Sequence, residues 1–226
     1  PHLDTSCIRA MDDVQTGIAV ILVDEKGENC ISVAPGANHS FGPELATEAI
    51  QNCISGCNVL LACTELPLNT VRVGLEIAKS SGLLTILNPA PVINGLQDES
   101  LLTLVDVITP NEHEAAQLTG IEVTDALSAE KAGRILQEKG VKTVLITMGE
   151  SGVMLIDGQV IQIPAPTVVA TDTTAAGDCF NGVFAAHMCE SLDLVTSIKH
   201  AVNAASLSVT RAGAQPSIPF RSELFL

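Results

Sequence analysis

Tryptophan and tyrosine are absent from this chain of 226 residues, and phenylalanine occurs only five times. That excludes an aromatic platform on which bases could stack. Positive charge is also scarce: 11 Lys and Arg stand against 26 Asp and Glu, a formal net charge of −15. Nucleic acid and anionic membranes both require a basic face, so neither is expected as a partner. The longest apolar runs are strand-length, too short for a transmembrane helix. The opening PHLDTSCIRAMDD carries no initiator Met and no secretory signal, and it reads like the middle of a longer sequence. The seven cysteines (Cys7, Cys30, Cys53, Cys57, Cys63, Cys179, Cys189) form no CxxC pair, and the five histidines begin no HxxxH or HExxH pattern. Structural zinc is therefore not expected, and the thiols read as free groups in a reducing cytoplasm. Finally, neither GxxxxGK[ST] nor GxGxxG occurs, so the two commonest nucleotide fingerprints are missing.

What is present is a core-forming alternation. Hydrophobic residues make up 46% of the chain. Two apolar runs around DEKGEN predict a β-hairpin from residues 16–23 and 30–34. Beyond a helix predicted from Pro43 to Ser55, strand-like and helix-like segments alternate. Strands are expected at 57–63, 83–88, 105–109 and 141–148, and helices at 67–80, 111–118 and 128–139. GVMLI and QVIQI flank a turn at Asp157–Gly158, a second hairpin signal. VVAT is strand-like, and two helices follow at 176–190 and 194–210. Continuous apolar strands alternating with helices predict a three-layer α/β fold, a mainly parallel central sheet flanked by helices. Only the first hairpin stands apart from this pattern.

The best candidate for holding a phosphate is TDTTAAGDCFNG, residues 171–182. Ala175, Ala176 and Gly177 are small and stand at the N-terminus of a predicted helix, so their N–H groups and the positive end of the helix dipole can form an anion hole. Asp178 follows at once. It reads either as the base that takes a proton from an attacking hydroxyl or as one acidic residue of a helix cap. The residues alone leave both open. Asn111 after Pro110 is likewise a good helix N-cap, Gly149 and Gly152 suit any hairpin turn, and Glu65 in CTELP suits a solvated loop.

DTTAAGDCFNG resembles the signature of the PfkB family of carbohydrate kinases. The resemblance extends along the chain through TGIAVILVDEKGENCISVAPGAN, LNPAPV, ITPNEHEAAQLTGI, VLITMGESGV and SVTRAGAQPSIP. It implies an ATP-dependent kinase with Asp178 as base and the amides of Ala175, Ala176, Gly177 and Asp178 as the anion hole. Within the family it is strongest to the members that phosphorylate ribose. Other sugars or nucleosides, deoxyribose first among them, remain open as acceptors, and so does a non-catalytic nucleotide-binding module. Asn111 and Glu114 match the family's NxxE element, which helps place Mg2+ and phosphate. The turn Thr147, Met148, Gly149, Glu150, Ser151 and Gly152 is expected to cover the nucleotide, with Asn203 near the adenine. Glu65 stands where the family has a ribose-contacting glutamate. A monovalent cation, K+, is implied at Asp172, Thr174, Ser208, Arg211, Gly213 and Ser217, mostly through carbonyls, with side-chain oxygens from Asp172 and Ser217. The pattern often has Gly where Ala175 stands, and an Ala there is expected to keep a negative φ. The resemblance also divides the chain into part of a β-lid, residues 1–38, and a kinase domain, residues 39–226, with a homodimer forming through the lid. The family's opening strand, a sugar-binding aspartate and a double-glycine stretch are not in this sequence. The sheet is therefore expected to lack a strand, and the chain by itself to phosphorylate ribose poorly.

Overall fold

The computed structural model describes residues 4–23, 29–190 and 193–224. The first two strands, β1 (Ile18–Val23) and β2 (Asn29–Ala34), pair antiparallel as a separate two-stranded sheet. Most of the DEKGEN turn between them lies outside the described residues. Then follow α1 (Pro43–Cys53), β3 (Val59–Cys63), α2 (Leu68–Ser80), β4 (Leu84–Asn88), the short α3 (Glu99–Leu102), β5 (Val107–Ile108), α4 (Glu112–Thr119), α5 (Ala126–Glu138), β6 (Thr143–Thr147), β7 (Val153–Asp157), β8 (Gln159–Ile163), α6 (Ala176–Cys189) and α7 (Leu194–Ser208).

The six strands from β3 to β8 lie side by side in chain order. β3 to β6 are parallel, and β7 and β8 return antiparallel. Right-handed crossovers that always advance in one direction place their helices on one face of a sheet. Accordingly α2, α3, α4 and α5 bury Leu75, Leu101, Leu118 and Leu136 on one side, whereas α6 and α7 bury Phe184 and Ile198 on the other. The strands alternate between these two cores. Leu87, Ile108, Ile146 and Met154 face the first, and Ile86, Val107, Leu145 and Val153 face the second. That period of two, apolar on both faces, made the strands read as continuous hydrophobic runs.

Two expectations need correction. VVAT is not a strand: Val169 is 86% exposed and no ladder includes it. Instead the chain turns there, and the N–H groups of Thr171 and Asp172 both donate to the Val209 carbonyl, at 2.7 and 3.1 Å. The strand expected over 105–109 is only two residues long, although single bonds extend its pairing, such as Thr109 N–H to the Leu87 carbonyl at 3.0 Å. Before this strand, buried Asp106 accepts from Lys79 at 2.6 Å and lies 2.7 Å from the Lys142 ammonium. Burial alone would push its carboxyl up. Hydrogen bonds from Lys142, Lys79 and Thr85 outweigh that and hold it at about 2. This cluster lies at the N-terminal end of β5, away from the loops described next.

Candidate active site

The C-terminal ends of parallel strands are where α/β sheets gather ligand-binding loops. Here the loop after β3 carries Glu65, the loop after β5 carries Thr109 to Asn111, and the turn after β6 spans Thr147 to Gly152. The N-terminus of α6 presents the AAGD segment to the same end.

That N-terminus begins at Ala175, whose φ of 62° and ψ of 14° are left-handed. The expected negative φ is therefore wrong. The conformation is held from both sides. Asp172 accepts from the Thr174 N–H at 2.9 Å and from the Gly213 N–H at 2.8 Å, while Ala175's own carbonyl accepts the Cys179 N–H at 2.9 Å. A left-handed residue with a Cβ costs about 1–2 kcal/mol. Ala175→Gly should therefore stabilise the fold by about 1 kcal/mol, raising Tm by roughly 2–4 °C in a chain of this size. A lower Tm in thermal denaturation would show that the residue does not hold this conformation.

The left-handed turn sets which amides face outward. The Ala176 N–H donates to the Thr173 carbonyl at 3.3 Å, so it is less available for an anion than expected. Among the described residues no acceptor meets the N–H groups of Ala175, Gly177 and Asp178. A Cβ built on Gly177 would meet nothing within 4 Å, so the space beside these amides is open. Asp178 is exposed there, in the first turn of α6. The arrangement can receive an anion on three N–H groups at a positive helix end and set a carboxylate beside it.

Glu65 is exposed on the adjoining loop, whose base is anchored by Thr64. The Thr64 hydroxyl donates to the Pro91 carbonyl at 2.6 Å. Burial pushes the Cys63 thiol up and the Glu65 N–H pulls it back. The Glu65 and Asp178 carboxylates then push it up further, so both charges reach this one thiol.

Asn111 and Glu114 meet as a reciprocal helix cap. Asn111 Oδ1 accepts the Glu114 N–H and Glu114 Oε2 accepts the Asn111 N–H, both at 2.8 Å. Burial raises the Glu114 carboxyl, and the Asn111 N–H works against it. The capping role is thus real, and it leaves Asn111 Nδ2 and Glu114 Oε1 outside the cap. The Thr147 N–H donates to the Pro110 carbonyl at 3.0 Å, which joins the turn after β6 to this cap. Within that turn Gly149, Glu150 and Ser151 are exposed. Met148 is not: its side chain is buried in the first core, so only its backbone can reach a ligand.

The remaining candidates cluster around residues 172–174 and 208–217. Gly213 is tied to Asp172, whose carboxyl is held below its usual range by the Thr174 and Gly213 hydrogen bonds. The Ser217 hydroxyl is buried and donates to the Ala214 carbonyl at 2.7 Å. The Ser208 carbonyl accepts the Arg211 N–H at 3.0 Å, and the Arg211 side chain turns away to Glu223. Asn203 is exposed on α7. Among the described residues no three His, Cys, Asp or Glu side chains could together hold a metal ion.

Two residues that the sequence did not single out lie beneath the site. Thr109 and Asn181 are buried, and the Thr109 hydroxyl donates to Asn181 Oδ1 at 2.7 Å. They are 72 positions apart, and the one local sign was a polar residue closing an apolar run, or standing inside one, in each case.

A model of the pfkB family carbohydrate kinases matches residues 2–221. The ribokinase of Haemophilus influenzae is 43% identical over 98% of this chain and 72% of its own length. The ribokinase of Staphylococcus aureus is 41% identical over 99% of this chain and 73% of its own. The structure of Arabidopsis thaliana ribokinase complexed with ribose and ATP superposes with a TM-score of 0.81 at 31% identity, covering 94% of this chain and 69% of that one. With the family model spanning nearly every residue and two ribokinases above 40% identity over almost the whole chain, the chain belongs to the pfkB family of carbohydrate kinases.

Proposed function

We propose that the protein is a ribokinase that transfers the γ-phosphoryl group of ATP to the 5-hydroxyl of ribose. The observation that carries this is the first turn of α6: three amides without protein acceptors, followed at once by an exposed carboxylate. Asp178 takes the hydroxyl proton as the new O–P bond forms, the bond from phosphorus to the bridging oxygen breaks, and ADP leaves with the electron pair. The amides of Ala175, Gly177 and Asp178 face the equatorial oxygens, where charge develops. Glu65, whose charge like that of Asp178 reaches Cys63, supplies an acceptor for ribose hydroxyls. Ser151 and its neighbours, with Asn203, flank the nucleotide.

The residues present fit the ions implied by the family. Mg2+ would be held chiefly by the phosphates, with Glu114 Oε1 near, and would neutralise phosphate charge. K+ would suit the carbonyls around Gly213, Ser208 and Ser217, where Asp172 already joins the two loops. The hairpin of β1 and β2 would serve as a lid. Ile18 and Val20 expose apolar side chains on one face of it and Val33 on the other, so one face is suited to closing over a sugar and the other to meeting a second copy in a homodimer. The acidic charge and the free thiols support a cytoplasmic setting.

The test is ADP release by the purified protein with ribose, 2-deoxyribose and adenosine, each in potassium, sodium and lithium salts. Ribose in potassium should give the highest kcat/KM. Preference for another acceptor would reassign the substrate. ATP binding without turnover on any acceptor, even with the family's opening segment restored, would leave a nucleotide-binding module. Equal rates in all three salts would remove the monovalent cation.

A further inference from the structure

We infer that Thr109 and Asn181 form a positioning pair that sets the tilt of the amide donating to the phosphoryl group. This deepens the reading of α6 as the phosphate site and rests on it. Asn181 is 4% exposed and Thr109 2% exposed, on opposite elements: one in α6, the other just past β5. Asn181 Nδ2 donates to the Gly177 carbonyl at 2.9 Å. The Gly177 carbonyl and the Asp178 N–H belong to the same planar peptide unit, so fixing the oxygen fixes the direction of the N–H. That N–H is one of the three facing the open space, and its residue carries the base.

The direction of each bond in the network follows from what each atom can do. A carbonyl only accepts, so Asn181 must turn its NH2 toward Gly177. Its Oδ1 then faces Thr109, whose hydroxyl must donate to it, over 2.7 Å. The Thr109 oxygen is itself approached by Asn88 Nδ2 at 3.5 Å, and the Thr109 carbonyl by the same group at 3.0 Å. The chain of bonds runs from the end of β4, through the end of β5, into the first turn of α6. Thr109 also stands two residues before Asn111, so it links the two loops that flank the phosphates. A helix N-terminus frays unless held. Here it is bolted to the sheet at the peptide where orientation matters most.

Thr109→Val keeps the shape and removes the donor. It should lower kcat about tenfold or more, with KM for ATP changed less than about twofold, because a tilted amide weakens the transition state more than nucleotide binding. Thr109→Ser restores the hydroxyl and should rescue kcat to within about twofold of wild type. Asn181→Ala should show the same split and serves if the valine variant does not fold. The double variant should be no slower than Asn181→Ala alone, since both act through one contact. The inference is overturned if Thr109→Val and Asn181→Ala keep wild-type kcat, if Thr109→Ser is as slow as Thr109→Val, or if the losses fall in KM. Asp178→Asn in the same assay separates the two levels. If it is inactive while Thr109→Val runs at full speed, only the positioning role fails. If it stays active, the phosphate-site reading fails and takes this inference with it.

Discussion

Asp178→Asn is expected to lower kcat by about 10²–10⁴-fold while leaving KM for ATP within a few-fold, the range that a positioned general base contributes. The amide is nearly the size of the carboxylate, and Asp178 makes no side-chain hydrogen bond among the described residues, so the fold has little reason to change. What changes is one lone pair in the transition state, where the hydroxyl proton needs an acceptor. Ground-state nucleotide binding does not use that lone pair. An uncharged side chain beside the three outward amides would, if anything, repel the γ-phosphate less. Steady-state kinetics with a Tm control would decide it. A variant that kept more than a tenth of wild-type kcat would show that the base is elsewhere.

Much of the frame behind this site was legible because the sheet is buried on both faces. Strands such as LLTIL had to be apolar at consecutive positions, and Ile86 and Leu87 serve opposite cores. The helices of the first face were legible from spacing, as Val71, Leu75 and Ala78 in α2 illustrate. The turn proposed to bind phosphate could be located from its small residues, but its backbone could not. Nothing in TTAAGD announces that Ala175 is left-handed, because the cause is the Asp172 carboxylate, which bridges Thr174 to Gly213, forty-one residues beyond Asp172. VVAT failed for a related reason: β-branched residues fit a strand only where a partner strand lies alongside. Met148 was assigned by its place in a motif, and only packing shows that its side chain points into the core while its neighbours reach outward. Asn111 and Glu114 show the opposite case, since the cap uses Asn111 Oδ1 and Glu114 Oε2 and the proposed ligand-binding role would draw on the other atoms of the same two side chains. The Thr109–Asn181 contact is invisible to any window of sequence, because it crosses from one layer of the fold to another.

Gly149 and Gly152 looked interchangeable as residues of one turn, and their substitution by alanine should separate them sharply. Both have positive φ, 50° and 88°. An added Cβ at Gly149 would meet nothing within 4 Å. Gly149→Ala therefore carries only the left-handed cost, about 1–2 kcal/mol, the strain Ala175 already bears. Gly152 is different in kind. Its ψ of −129° lies in a region essentially closed to side chains. Its Cβ would stand 2.1 Å from the Ile163 carbonyl oxygen, 2.7 Å from the Ala165 nitrogen and 2.8 Å from the Pro164 carbonyl carbon, all backbone atoms that cannot swing aside. Gly152 also closes the turn, since its carbonyl accepts the Met148 N–H at 2.8 Å and its N–H donates to the Gly149 carbonyl at 3.1 Å. To fit the methyl, the end of β8 must move off β7, or the turn after β6 must open. Either way Gly152→Ala should cost more than about 3 kcal/mol, a fall in Tm of at least roughly 6–12 °C, against about 2–8 °C for Gly149→Ala. If the folded fraction of Gly152→Ala is recovered at low temperature, its KM for ATP should rise well above that of Gly149→Ala, because the turn and the strand end cannot both keep their places. Equal Tm values for the two variants would mean that β8 does not pass this close to the turn.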